Sequence, residues 1–267
     1  MLPVREFVIA VDIGNTRTQV GLIDCVNLTC KKQKVFSSDK IRNKVGVALN
    51  SFSRQGETGR PTPVYVSTVI NSLRKELLPL LKKTGIGALV EYNPSLPIKI
   101  AYDPPQVLGS DRIANLLYAR AAYPGHDSIV IDTGTAITVD YLRNGSEFVG
   151  GVILPGVETQ CTVLHTSTAE LPKIDTKNAH IPFPGTSTRS CIAHGVREGV
   201  AGALSRLVHK LKNTFSKECI VLTTGGGWSH TAPLIDFETT FVPDLTLIGT
   251  GLFQEVVPSK LGTIPNE

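Results

Sequence analysis

The chain carries one pattern twice. An apolar run, FVIAVD, ends in Asp12 and leads through a polar turn containing Gly14 into a second stretch, TRTQVGLI. The pattern returns at 128–142 as SIVIDTGTAITVDYL. Asp12 matches Asp132, Gly14 matches Gly134 and Thr18 matches Thr138, all at one offset of 120 residues. A short apolar run bounded by turn signals reads as a buried strand, and Gly14-Asn15 is such a signal. Each copy predicts a hairpin that opens one half of a duplicated α/β domain. The halves are expected at 1–115 and 116–267. No low-complexity linker separates them, so they should pack around a cleft.

The remaining elements fill in both halves. VYVSTV at 64–69 reads as a strand, 71–84 as a helix and 88–91 as a short strand. Pro94, Pro97, Pro104 and Pro105 make 93–108 an irregular loop. Helical periodicity follows over 111–122, with Ile113, Leu116, Leu117 and Ala121 on related faces and Asp111 at the N-cap place. GGVILPG at 150–156 predicts a strand, and a helix should begin near Glu158. A Pro-, Ser- and Thr-rich loop spans 171–188, a long helix about 190–213. CIVLTT at 219–224 should be the last buried strand, running into Gly225-Gly226-Gly227.

Composition narrows the class. With 41% hydrophobic and 19% charged residues, the 267-residue chain can build a core without disulfides or metals. Its net charge of +4 comes from scattered residues. Lys31-Lys32-Gln33-Lys34 reads as a solvated hairpin end, so no nucleic-acid partner is expected. Five cysteines, none in a CxxC pair, argue against a disulfide framework and for a reducing compartment. The apolar run before Asp12 is too short for a signal peptide or membrane span, and nothing later reaches about 18 apolar residues. A cytoplasmic protein with no membrane partner is expected.

The repeated turns have the chemistry of a polyphosphate site. Tight turns with small residues aim backbone N–H groups and hydroxyls at phosphate oxygens. Gly14 and Gly134 permit close approach, and Asn15, Thr16, Thr133 and Thr135 offer donors. The carboxylates of Asp12 and Asp132 can hold hydrated Mg²⁺ or another cation. Plain hairpin turns favour the same residues, but two copies in a repeat favour function. GxxxxGK[ST] is absent, as is GxGxxG after a strand, so the P-loop and Rossmann classes lose their main support.

DxGNT at 12–16, LGSDR at 108–112, DTGTAITVD at 132–140, GGVILPG at 150–156 and TTGGG at 223–227 stand in an order that resembles type III pantothenate kinases. That resemblance implies a duplicated ribonuclease H-like, actin-like ATPase fold with two mixed five-stranded sheets. It also implies a homodimer that uses ATP, Mg²⁺ and a monovalent cation, K⁺ or NH₄⁺. By the same resemblance, Asp12, Ile13, Gly14, Asn15, Thr16, Arg17, Thr18 and Gln19 form the first phosphate segment, and Thr135 contacts ATP. Tyr102, Gly109, Ser110, Asp111 and Arg112 bind pantothenate, with Asp111 as general base. Asp132 is implied as the monovalent-cation ligand, and Thr188 as a residue reaching pantothenate from the partner subunit. Two positions depart from the family pattern: Gly227-Trp228 follow Gly226 where Asp is usual, and Ser67-Thr68-Val69-Ile70 lacks a usual proline.

Chemistry agrees with that assignment. A neutral alcohol must lose a proton as it attacks a phosphoryl group, and one carboxylate suffices as base. For Asp111 the alternative is a simple helix cap. Arg112 offers a planar fork for an anion or for a neighbouring acid. His126, His165 and His194 have no metal spacing and read as structural or surface residues. The rival functions are a non-catalytic transcriptional accessory factor and an actin-like kinase for another small hydroxylated substrate.

Overall fold

The structure, a computed structural model, describes residues 5–38, 62–70, 72–75, 87–175 and 183–257. Two compact units emerge. The first comprises residues 1–125, 144–149 and 244–267, the second residues 126–143 and 150–243. The boundary expected at 115/116 falls inside a helix, so the chain does not part there.

In the first unit, β1 (Phe7–Ile13) pairs antiparallel with β2 (Arg17–Asp24), which pairs antiparallel with β3 (Thr29–Ser37). On its other side β1 runs parallel to β4 (Val64–Thr68), and β4 to β5 (Gly87–Leu89). The order is β3-β2-β1-β4-β5. β1 is central and buried on both faces, which is why its apolar residues do not alternate with polar ones. Ile9, Val11 and Ile13 join Val20, Val64, Val66, Leu73 and Leu89 in one core cluster. Lys31, Lys32 and Lys34 lie along the edge strand β3 rather than at a hairpin end; exposed lysines there discourage edge-to-edge association. Of the helix expected over 71–84, residues 72–75 are helical and the rest lies outside the described residues.

The loop 93–108 is not wholly irregular. Lys99–Ile100 forms a two-residue strand, β6, and Pro105–Val107 a 3₁₀ turn. Helix α1 (Ser110–Ala122) follows. The strands β7 (Ser128–Thr133), β8 (Ala136–Arg143) and β9 (Glu147–Pro155) come next, then helices α2 (Val157–Thr166) and α3 (Thr188–Thr214). Strand β10 (Ile220–Thr224) leads into the short helix α4 (Trp228–Thr231). A further strand, β11 (Thr240–Phe241), pairs parallel with β10, so the strand at 219–224 is not the last.

The second sheet has the order β11-β10-β7-β8-β9-β6. Its first five strands repeat the first sheet's order: β7 takes the place of β1, β8 and β9 those of β2 and β3, and β10 and β11 those of β4 and β5. The duplication read from a short motif is therefore a duplication of topology. The second sheet has six strands rather than five because β6 pairs with β9.

The chain then returns to the first unit in helix α5 (Leu245–Leu252), whose eight residues are all buried. Small residues let it lie close. A Cβ on Gly249 would collide with the Ala114 carbonyl of α1, and one on Gly251 would stand 3.0 Å from Val8 Cγ2. Among the described residues no helix is long and apolar enough to cross a membrane. The five cysteines are free, including Cys25 and Cys30 either side of the β2–β3 turn.

Candidate active site

The first turn is pinned from within its own unit. The Gly14 amide donates to the Arg17 carbonyl at 3.0 Å. Ser38, just past β3, donates its hydroxyl to the Gly14 carbonyl at 2.7 Å and its amide to the Thr16 carbonyl at 3.0 Å. The hydroxyls of Ser38 and Thr18 lie 2.9 Å apart. Asn15, Thr16 and Arg17 stay exposed and Asp12 half-buried at the strand end. Two neighbours cannot present their side chains to a ligand: Ile13 belongs to the core, and Thr18 is fully buried on Ser38. Gln19 Oε1 accepts from Gln33 Nε2 at 2.6 Å.

The second turn is one residue shorter. In the first hairpin Ile13 pairs with Thr18 and Asp12 with Gln19. In the second, Thr133 pairs with Ile137 and Asp132 with Thr138. Paired residues share a face of the sheet, with Cβ atoms about 4.5–5.5 Å apart. Thr138 therefore stands beside Asp132, whereas Thr18 faces away from Asp12. The common offset holds for Asp and Gly but not for Thr, because turn length sets hairpin register. The Thr138 hydroxyl is buried and has no hydrogen-bond partner among the described residues.

The other motifs of the second unit buttress this turn. Thr133 does not offer its hydroxyl to a ligand; it is buried and donates to the Thr224 carbonyl at 2.8 Å. The Gly156 amide and the Thr159 hydroxyl both donate to the Thr135 carbonyl, at 2.9 and 2.6 Å. The closing glycine of GGVILPG thus brings the start of α2 onto the turn, leaving the Thr135 side chain exposed. Gly225 has φ +91°, and an added Cβ would meet Thr133 O at 2.5 Å and Asp132 Oδ1 at 2.6 Å. The Gly227 amide donates to the Thr133 carbonyl at 2.7 Å. TTGGG is therefore a strand-to-helix turn locked against the end of β7.

LGSDR opens α1, and each residue has a local reason. The helix begins at Ser110 with Gly109 as N-cap, so Asp111 is in the first turn rather than the cap. The Asp111 carboxylate accepts the Arg112 amide at 2.8 Å. Gly109 leaves room for it, since a Cβ there would lie 2.5 Å from Asp111 Oδ1. Ser110 is buried and exchanges hydrogen bonds with β4. Its hydroxyl accepts the Thr68 amide at 2.9 Å, approaches the Thr68 carbonyl at 3.0 Å and receives the Ser67 hydroxyl at 3.1 Å. Thr68 also caps the departing chain, its hydroxyl accepting the Ile70 amide at 3.1 Å.

Burial raises the Asp111 pKa above the ordinary carboxylate value, against the opposing pull of its hydrogen bond and charge interaction with Arg112. Arg112 is itself buried, its guanidinium carbon 5.4 Å from the ring centroids of both Tyr102 and Phe148.

The family model for type III pantothenate kinase matches residues 8–210. The chain belongs to the type III pantothenate kinase family. A family member from Petrotoga mobilis is 33% identical over 251 residues, covering 89% of this chain and 94% of the relative. Another from Dehalococcoides mccartyi is 29% identical over 252 residues, covering 91% and 94%. Among solved structures, a conserved putative Baf family transcriptional activator from Campylobacter jejuni aligns with TM-score 0.57 and 21% identity, covering 93% of this chain and 98% of that one. A ROK family glucokinase from Streptomyces griseus aligns with TM-score 0.54 and 12% identity, covering 92% and 98%. At such identities these structures speak for the fold alone, which is that of the actin-like ATPases and sugar kinases.

For a member of this family, the first unit brings Tyr102, Gly109, Asp111 and Arg112 together at the start of α1. Thr188 is separate. It is not in a loop but is the exposed first residue of α3, after a capping box between Ser187 and Ser190. Ser38, Phe148 and Thr159 escaped the sequence reading, which named Thr138 only as the repeat's match to Thr18. Among the histidines, His165 Nδ1 lies 2.8 Å from the Leu171 carbonyl and His194 packs edge-on against Phe183, which fits structural roles.

The donor sets suit hard cations. Among the described residues no three His, Cys, Asp or Glu side chains gather as a metal cage. Beside Asp132, the orphaned Thr138 hydroxyl supplies a buried oxygen with spare lone pairs.

Proposed function

We propose that the chain transfers the γ-phosphoryl group of ATP to the primary hydroxyl of pantothenate, the first step of coenzyme A synthesis. The arrangement at the start of α1 carries this reading. There a half-buried carboxylate with a raised pKa stands next to a buried guanidinium, in a chain whose family is pantothenate kinases. As the pantothenate oxygen bonds to phosphorus and the bond to the β-phosphate oxygen breaks, the hydroxyl proton passes to Asp111. Desolvation that raises a carboxylate's pKa makes it a better base, provided that it remains ionised at working pH. Arg112 would pair with the substrate carboxylate, and Tyr102 would flank it.

Asn15, Thr16, Arg17 and the amides of the first turn would hold ATP phosphates, with Thr135 as a further contact. Mg²⁺ would be held by Asp12 through water, and K⁺ or NH₄⁺ by Asp132 with Thr138. Bound Mg²⁺ would supply charge neutralisation of the polyphosphate.

The working form is a cytoplasmic homodimer. Thr188, Cys191, Gly195, Gly199 and Gly202 are all exposed and fall along one side of α3 at helical spacing. Beside them an apolar groove of about 580 Å³ is lined by Val163, Leu164, Leu171, Ile192 and Val196. A side of small residues lets a second helix approach closely, and it carries Thr188 with it. Free cysteines fit a reducing compartment.

The test is phosphoryl transfer from ATP to pantothenate and to a panel of sugars, with and without K⁺. Pantothenate should be the acceptor. Turnover of a sugar instead would make the chain another actin-like kinase. No turnover with any acceptor would favour a non-catalytic accessory factor.

A further inference from the structure

We propose that Phe148 is a positioning residue for substrate recognition. With Tyr102 it forms an aromatic cradle that holds the Arg112 guanidinium in place for the carboxylate of the substrate. This rests on the pantothenate reading above.

The backbone builds the cradle. β6 runs parallel to the start of β9, with Lys99 paired to Glu147 and Ile100 to Phe148. The Lys99 amide donates to the Ser146 carbonyl at 2.8 Å, and the Ala101 amide to the Phe148 carbonyl at 2.9 Å. An ion pair between Lys99 Nζ and Glu147 Oε1, at 2.9 Å, closes the outer end. The next residue is Tyr102, whose ring lies 6.0 Å from that of Phe148 at an interplanar angle of 29°. Arg112, from the first turn of α1, reaches both rings at the same 5.4 Å. The sixth strand of the second sheet thus delivers Tyr102 to Phe148.

The chemistry favours recognition over mere packing. Two aromatic faces attract a guanidinium within about 6 Å, most strongly when it is desolvated. Arg112 is 5% exposed and Phe148 fully buried. Neutral rings fix the plane of the fork without adding a negative charge that would compete with an incoming carboxylate. A planar fork held in one orientation loses less freedom when it forms two parallel bonds to that carboxylate.

The experiment compares two acceptors, pantothenate and its neutral primary amide, in wild type, Phe148→Leu, Tyr102→Leu and Tyr102→Phe. Phe148→Leu should raise KM for pantothenate about 5- to 30-fold. KM for ATP should stay within about twofold, and the amide should be affected little. The preference for the carboxylate over the amide then collapses. Tyr102→Leu should do the same at a half-exposed position where folding is less at risk, and Tyr102→Phe, which keeps the ring, should retain the preference. Equal losses on both acceptors, or an unchanged preference in both leucine variants, would overturn the cradle while leaving the kinase reading intact. Wild-type protein that neither phosphorylates nor binds pantothenate in calorimetry would overturn both.

Discussion

Gly225→Ala puts the coupling between TTGGG and the turn after β7 to a quantitative test. Gly225 has φ +91°, where an L side chain costs about 1–2 kcal/mol. The new Cβ would also stand 2.5 Å from Thr133 O, 2.6 Å from Asp132 Oδ1 and 2.6 Å from Thr133 N. Ordinary contact begins nearer 3.5 Å, so about 1 Å must be found, and two of the three atoms are backbone. Overpacking of that kind costs about 1–3 kcal/mol. The total is about 2–5 kcal/mol, a fall in melting temperature of about 5–15 °C. Relaxation must move the end of β7, and with it the Asp132 carboxylate. A shift of about 1 Å at a reacting site can lower the rate about 100-fold. Gly227→Ala is the matched control. Its φ is −79°, and its Cβ would meet one backbone atom, Thr133 O, at 2.9 Å, so about 0.6 Å must give with no added cost from φ. Thermal unfolding and ATP-dependent turnover, titrated with K⁺, should show a large loss for the first variant and a small one for the second. Equal behaviour of the two, or a wild-type Gly225→Ala, would refute the argument.

Other outcomes follow from the same physics. Asp111→Asn should lower turnover about 10²–10⁴-fold while the fold survives, since an amide can still accept the Arg112 amide proton but cannot take the substrate's. It should also be more stable than wild type at neutral pH. A carboxylate with a raised folded pKa contributes fully below its unfolded pKa and loses that contribution as pH rises through the folded value, so the gap should widen with pH in parallel melts. Asp24 behaves oppositely: hydrogen bonds from Asn27, with Lys31 3.1 Å away, hold its pKa at about 2. Its stabilisation is present above the unfolded value and is lost as pH falls from about 4 towards 2, so Asp24→Ala should flatten that limb of the acid-unfolding curve. Gly199→Leu should break the dimer in sedimentation, and a mixture of Asp111→Asn and Thr188→Val chains should partly recover activity through shared sites; a Gly199→Leu dimer, or no recovery despite subunit exchange, would sink the shared-site model.

Much of the fold was legible because it rests on short-range chemistry. Unbroken apolar runs marked β1 and β7 as buried strands, and helical spacing placed α1 and α3 to within two residues. What escaped depended on register or distance in sequence. A shared offset made Thr18 and Thr138 look equivalent, yet one residue fewer in the second turn puts them on different faces. Thr133 looked like a free donor until β10 took its hydroxyl. Ser38 and Phe148 had no local signal. Each acts on a segment more than twenty residues away, and two-residue strands such as β6 and β11 are too short to show a period. The start of α1 was misjudged because Ser110 and Gly109 serve β4 and the Asp111 carboxylate rather than a conventional cap.

The place of α5 in the first unit has a consequence for synthesis. Translation delivers Phe7–Ala122 early, then the whole stretch 126–243, apart from the short return at 144–149, and only then the buried helix Leu245–Leu252. At about 5–20 residues per second, the ribosome needs several seconds or more to bridge that interval. Throughout it, the groove that Gly249 and Gly251 will fill, against Ala114, Val8 and Ile23, lacks its helix. The nascent first unit therefore waits with an apolar surface that chaperones can recognise until Leu245–Leu252 arrives to cover it.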